Sequence, residues 1–174
     1  HPEIGPILVC PLALLSSYAP SGAPDRALLQ LVRESSVLVV GRMSRSERYK
    51  GHDELLECWA SVRMRVPDAQ LVVVGTGDDA ERLRAKAASR GLADHVLFTG
   101  FVDEATLEAL RSTAAVFALP SSGEGFGLVY LEAMRAGLPC VGGSKDAARD
   151  VVQDGQTGLL VDTDSREQLA AALV

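Results

Sequence analysis

Cysteine is scarce in this sequence. There are three in 174 residues, Cys10, Cys58 and Cys140, far apart and without the close spacing of a metal site or a disulfide framework. They read as small buried apolar residues of a reduced, cytoplasmic protein, and no metal site is expected. Positive charge is also in deficit: 17 Lys and Arg against 23 acids give a net charge of −6. That balance argues against a chain that holds nucleic acid by neutralising phosphates. No apolar run approaches the length of a membrane-spanning helix. The apolar stretch 7–15 has no Lys or Arg before it and is broken by Pro11, which argues against a secretory signal. Histidine is rare too: His52 and His95 have no partner at ligand or triad spacing, and His1 is a terminus. Ser121, Ser122 and Ser144 lack a G-x-S-x-G setting, so a serine hydrolase is not expected.

What the chain does have is a regular alternation. Hydrophobic residues make up 47% of it, enough for one domain with its own core. Short apolar runs at 37–40, 71–74, 96–98, 116–119, 139–141 and 159–161, most of them closed by Gly or Pro, suit strands covered on both faces. Between them lie helical patterns at 52–65, 79–90, 103–112, 126–136, 146–153 and from 165 onward, with a short helix near 26–34. Leu55, Leu56, Trp59, Val62 and Val66 recur at helical spacing and give one apolar face. Asp103 and Asp164 or Ser165 suit helix N-caps, and Gly91 and Gly137 suit helix stops. Repeated β-α units of this kind predict an α/β fold, a doubly wound, Rossmann-like parallel sheet of about six strands in a three-layer α/β/α arrangement. Residues 1–34 read as an interdomain linker and domain edge, and 35–174 as the folded domain. The chain begins at His1 rather than Met, and a fragment of a longer protein is expected.

The most informative stretch is Ser121-Ser122-Gly123-Glu124-Gly125-Phe126-Gly127-Leu128, with Glu132 following on a helix. It comes directly after the strand pattern 116–119, where open α/β sheets bind ligands. Glu124, between two glycines, is an acceptor whose backbone a ligand can approach closely. Glu132 lies at the edge of an apolar helix face, partly desolvated and in need of donors. Two such acceptors suit a ligand rich in hydroxyl groups, such as a sugar. Gly125, Phe126 and Gly127 place free amides at a helix start, where an anion is welcome.

Two other loops bear on function. The segment 41–51 carries Arg42, Arg45, Arg48 and Lys50 ahead of a helix N-terminus, a setting for anion binding. The segment Gly75-Thr76-Gly77-Asp78-Asp79-Ala80 matches G-x-G-x-x-G/A, but its acids oppose a pyrophosphate and no acid ends the next strand. Its glycines read as a tight turn, with Asp78 or Asp79 capping the following helix.

From about residue 36 onward the chain resembles the C-terminal, nucleotide-sugar-binding domain of GT-B-fold retaining glycosyltransferases of the family 4, or group 1, type. The residues that carry the resemblance are Val40-Gly41-Arg42, Lys50-Gly51, Leu71 through Gly77 and Val96 through Phe101. With them go Pro120 through Leu128, Leu131-Glu132-Ala133-Met134, Gly137-Leu138-Pro139 and Asp154 through Val161. The resemblance implies that Arg42 and Lys50 hold the diphosphate and Glu124 binds the transferred sugar. It places Gly41, Gly125, Phe126, Gly127 and Leu128 close to sugar and phosphates, Glu132 on the ribose and Phe101-Val102 against the base. A UDP- or GDP-sugar is the implied donor, with no metal and no other cofactor. The acceptor and any peripheral membrane contact are expected on a separate N-terminal domain, and the fragment is not expected to turn over alone. Two features depart from the family pattern. The Arg42-to-Lys50 gap is long, and Asp146-Ala147 stand where a Gly-Gly pair is common. A GT-B epimerase or phosphorylase, and a nucleotide-binding module of the NAD type, are the alternatives.

Overall fold

In a computed structural model, residues 20–174 are described. The apolar stretch 7–15, Cys10 and most of the expected linker lie outside them. The strands are β1 (Ser36–Val40), β2 (Gln70–Val74), β3 (Val96–Gly100), β4 (Val116–Leu119), β5 (Cys140–Gly143) and β6 (Gly158–Val161). They form one parallel sheet in the order β3-β2-β1-β4-β5-β6. The helices are α1 (Arg26–Leu29), α2 (His52–Arg65), α3 (Ala80–Ser89), α4 (Glu104–Thr113), α5 (Leu128–Arg135), α6 (Ala148–Val151) and α7 (Arg166–Ala172), and Arg45–Lys50 forms a 3-10 turn.

Sequence and fold are linked by burial on both faces. Val37, Leu38, Val39 and the whole of β2 are buried, as runs without alternation require. The chain steps from β1 outward to β3, then crosses back to β4 and steps outward on the other side. Right-handed crossovers therefore put α2 and α3 on one face and α4, α5 and α6 on the other. α7 returns to the α2 face and packs along it.

Helix α2 buries Leu55, Leu56, Trp59 and Val62 against the sheet. Its polar side is tied to α3 and α7 by ions: Asp53 pairs with Arg82 and Lys86, and Glu57 with Lys86 and Arg166. Arg82 and then Lys86 hold the Asp53 carboxyl at about 2, below the ordinary range. The expected caps at Asp103 and Ser165 are formed, accepting from the Thr106 amide at 2.7 Å and the Gln168 amide at 3.2 Å. Gly91 and Gly137 stop their helices with φ of 69° and 83°.

Four local expectations change. The short helix expected near 26–34 is the single turn Arg26–Leu29. The helix expected from 126 starts at Leu128, because Gly127 turns into the left-handed region at φ 69°. The helix expected over 146–153 is the single turn Ala148–Val151. Asp79 stands at the N-cap of α3, yet its side chain caps nothing. It is held instead by Arg82 and Arg48, whose stronger charge-assisted bonds win over a neutral amide.

Trp59, fully buried between α2 and the sheet, should be the costliest single side chain to truncate. Trp59→Ala is expected to lower stability by about 3–5 kcal/mol in urea denaturation, from lost burial plus a cavity.

Candidate functional site

The order β3-β2-β1-β4-β5-β6 places a topological switch between β1 and β4, whose outgoing connections cover opposite faces. The loop after β1 therefore faces the acidic turn after β4 across the carboxyl edge. The two loops touch: Ser122 N–H donates to the Tyr49 carbonyl at 2.9 Å, and Lys50 Nζ lies 3.4 Å from Glu124 Oε2. Both side chains are largely shielded, Lys50 14% and Glu124 17% exposed, so their attraction is little screened by solvent. The cation expected on the diphosphate and the acceptor expected on the adjoining sugar are thus side by side.

Beside this pair a cleft of about 460 Å³ opens over the ends of β1, β2 and β3. It is lined by Gly41 and Arg42 after β1, Gly75 and Thr76 after β2, and Phe101, Val102, Glu104 and Leu107 after β3. Gly41 and Arg42 of one loop and Phe101 and Val102 of another meet here. Phe101 is 84% exposed at the rim, an apolar surface open to a planar ligand. A larger hollow, about 580 Å³, lies between α2 and α7 and contains none of the expected site residues.

The glycines of the second loop are explained by backbone packing. A Cβ on Gly75 would lie 2.1 Å from the Gly41 carbonyl oxygen, and one on Gly77 would lie 2.0 Å from that of Met43. The loops after β1 and β2 continue the sheet ladder, Met43 N–H donating to Thr76 at 2.9 Å. The G-x-G match therefore serves strand approach.

The cationic loop is only partly available to an anion. Arg48 is fixed on Asp79 by two hydrogen bonds, and the Arg45 amide and side chain turn to Asp78. Arg82 and then Arg48 hold the Asp79 carboxyl well below the usual carboxylate range. Arg42 remains, 77% exposed at the cleft and paired with Glu47, together with Lys50. Asp79, read as a cap, is what withdraws Arg48, while Arg45 stays exposed beside Asp78.

Gly125, Phe126 and Gly127 form the turn ahead of α5. Gly127 ends the turn without any side-chain cap, so the first amides of α5, from Leu128, have no intrahelical acceptor. Glu132, one turn along, is held by Arg111 of α4. Arg111 is 2% exposed and also binds Glu104 at 3.2 Å and Glu108 at 3.1 Å. It ties the rim of the cleft, at Glu104, to Glu132. Glu104 and Arg111 are functional candidates that the loop motifs do not show; the only signal is that Glu104, Glu108 and Arg111 share one helical face. The buried cysteines offer no nucleophile, since burial pushes both the Cys58 and Cys140 thiols up to about 12. Among the described residues no group of three or more His, Cys, Asp or Glu could hold a metal ion. None of their helices is long and apolar enough to cross a membrane.

A doubly wound sheet with a cleft at the carboxyl ends of β1, β2 and β3, beside its switch point and rimmed by arginine, glycine and a carboxylate, defines a Rossmann-like α/β domain of the GT-B kind. Residues 34–174 match the model of the Glycosyl transferases group 1 family, and the chain belongs to that family. It is 43% identical over 163 residues to a GDP-mannose-dependent alpha-(1-6)-phosphatidylinositol monomannoside mannosyltransferase of Mycobacterium tuberculosis, covering 90% of this chain and 42% of that protein. It is 42% identical over 140 residues to a phosphatidyl-myo-inositol mannosyltransferase of Mycobacterium leprae, covering 80% of this chain and 36% of that one. Among solved structures, HepE of Anabaena in complex with UDP and glucose superposes with a TM-score of 0.74 at 26% identity, over 85% of this chain and 40% of that one. The chain thus spans about two fifths of the length of such relatives. It is a glycosyltransferase domain, and the epimerase, phosphorylase and NAD-module alternatives are not favoured.

The site carries a titration prediction. His52, the first residue of α2, is buried next to Gly41 and Lys50. Burial, and then the Lys50 charge, hold its pKa down at about 4 against an ordinary 6.5. Between those values the unfolded chain binds the proton and the folded one does not. Stability should therefore fall as pH is lowered from about 6.5 to about 4. Urea midpoints against pH should show that slope, and His52→Gln should flatten it.

Proposed function

We propose that this chain is the donor-binding half of a retaining mannosyltransferase that takes GDP-mannose. The division into a linker over 1–34 and a donor-binding domain over 35–174 belongs to the same reading. The observation that carries it is the cleft that joins Arg42 to Phe101, Val102 and Glu104. A base lies on the Phe101-Val102 turn, and Arg42 and Lys50 take the diphosphate. Glu132, fixed by Arg111, accepts from the ribose hydroxyls. Glu124 accepts from hydroxyls of the transferred sugar, and the amides of Phe126, Gly127 and Leu128 face sugar and phosphate.

Base preference follows from Glu104. Guanine presents two adjacent N–H donors on one edge, which the two oxygens of a carboxylate can accept together. Uracil presents one N–H flanked by carbonyls, which a carboxylate repels. The mannosyltransferase relative named as GDP-mannose-dependent supports the same choice.

As the bond from sugar to phosphate breaks, negative charge grows on the departing diphosphate and positive charge on the sugar ring. Fixed cations and helix-start amides stabilise the first without metal. Glu124 positions the sugar and is given no proton to carry. The acceptor, and any membrane contact, belong to the rest of the protein, so this chain alone binds donor without turning it over. Among the described residues, Cys58 and Cys140 are free and buried, which suits a cytoplasmic setting.

Calorimetry of the chain against GDP, UDP and ADP tests this reading. GDP is expected to bind at least about ten-fold tighter than UDP, with Glu104→Gln narrowing the gap and Arg42→Ala weakening GDP by about ten- to a hundred-fold. Binding of none of the three, or binding of GDP indifferent to the loss of both Arg42 and Glu132, would sink the assignment.

A further inference from the structure

Glu124 sits between Gly123 and Gly125, so its own neighbours do little to fix its direction. Its backbone is fixed by Asp146, on the loop between β5 and α6, while its carboxylate rests on Lys50. Asp146 Oδ2 accepts from the Ser121 hydroxyl and from the Glu124 amide at 2.8 Å. Its other oxygen accepts from the Ala148 amide at 3.0 Å. The Ala147 amide in turn donates to the Glu124 carbonyl at 3.2 Å. Residue 124 is thus held on both its N–H and its C=O by consecutive residues of another loop. The two loops cannot drift apart, because β4 and β5 pair up to Leu119 and Gly142 and their backbones meet closely just beyond. A Cβ on Gly143 would lie 1.8 Å from the Ser121 carbonyl oxygen.

The chemistry of the clamp requires a carboxylate. Three donors converge on it, and an ionised Asp is acceptor at both oxygens, whereas Asn would turn N–H groups toward one set of donors. A negative charge so near Glu124 is itself unfavourable. Among the described residues Asp146 forms no ion pair with Arg42 or Lys50, so it acts on the site through Glu124.

We propose that Asp146 is a positioning residue that aims Glu124 at the transferred sugar. It thereby controls what the sugar adds to donor affinity, while the nucleoside diphosphate binds independently of it. The inference rests on the donor-site assignment above and is tested apart from it.

The experiment measures the affinities of GDP and GDP-mannose for the wild-type chain, Asp146→Asn, Glu124→Gln and the double variant. The readout is the ratio of the two dissociation constants, the advantage conferred by the sugar. In Asp146→Asn, GDP affinity is expected to stay within about two-fold while the sugar advantage falls about ten-fold, the worth of one charge-assisted hydrogen bond. The double variant should be no worse than Glu124→Gln alone. Ser121→Ala, which removes a single donor, should reproduce the change in smaller measure if Asp146→Asn folds poorly. An unchanged sugar advantage, equal weakening of GDP and GDP-mannose, or effects of Asp146 and Glu124 that multiply would overturn the proposal with the donor site intact. Failure of the wild-type chain to bind GDP would instead overturn the donor site itself.

Discussion

The site depends on one constraint, the side-by-side pairing of β1 and β4. Val37 lies opposite Val116 and Leu38 opposite Phe117, and from there the two chains depart to helices on opposite faces of the sheet. A crevice is left at the carboxyl edge, and two loops remote in sequence must face each other across it. Glycine permits the closeness. Gly51 abuts the Pro120 carbonyl so tightly that a Cβ would come within 2.4 Å of it, and this seats Lys50 against the turn that bears Glu124. The buried valines of β1 and β2 supply the driving force, and the glycines let the backbone accept the geometry.

Within that frame the electrostatics are arranged by subtraction. The loop after β1 carries four cations: buried Asp79 holds Arg48, and Arg45 leans outward to an exposed Asp78. Arg42 and Lys50 remain, each resting on a carboxylate. On the other face, buried Arg111 collects Glu104, Glu108 and Glu132. A buried guanidinium is tolerable only when fully partnered, so this cluster is rigid. That rigidity suits carboxylates that must meet a ligand in fixed directions. Acids and bases of the site are thus oriented against one another.

Much of the fold was legible because its signals are local. Valine-rich runs, the Asp103 and Ser165 caps and the stops at Gly91 and Gly137 need only a few neighbouring residues to take effect. The membership of Gly41, Arg42, Phe101 and Val102 in one cleft was legible through motif order, which the parallel topology converts into proximity. What escaped was set by long-range pairing. Asp79 is a sound N-cap by spacing, yet Arg48, 31 residues earlier, and Arg82 claim its side chain. Arg111 looks like an ordinary helix-surface residue until α5, 21 residues on, brings Glu132 against it. Asp146 stood out in the sequence only as a departure from a glycine pair; its bonds to Ser121 and Glu124 exist because β4 and β5 are neighbours.

The central claim is that a nucleotide sugar lies across the β1–β4 switch, base toward β3 and sugar toward β4. A crystal structure of this chain soaked or grown with GDP-mannose tests it most directly. The account predicts the diphosphate on Arg42 and Lys50, guanine on Phe101-Val102 with its donor edge at Glu104, ribose hydroxyls on Glu132 and the mannose on Glu124. A diphosphate lying instead over Gly75-Thr76-Gly77, or a ligand in the hollow between α2 and α7, would contradict it.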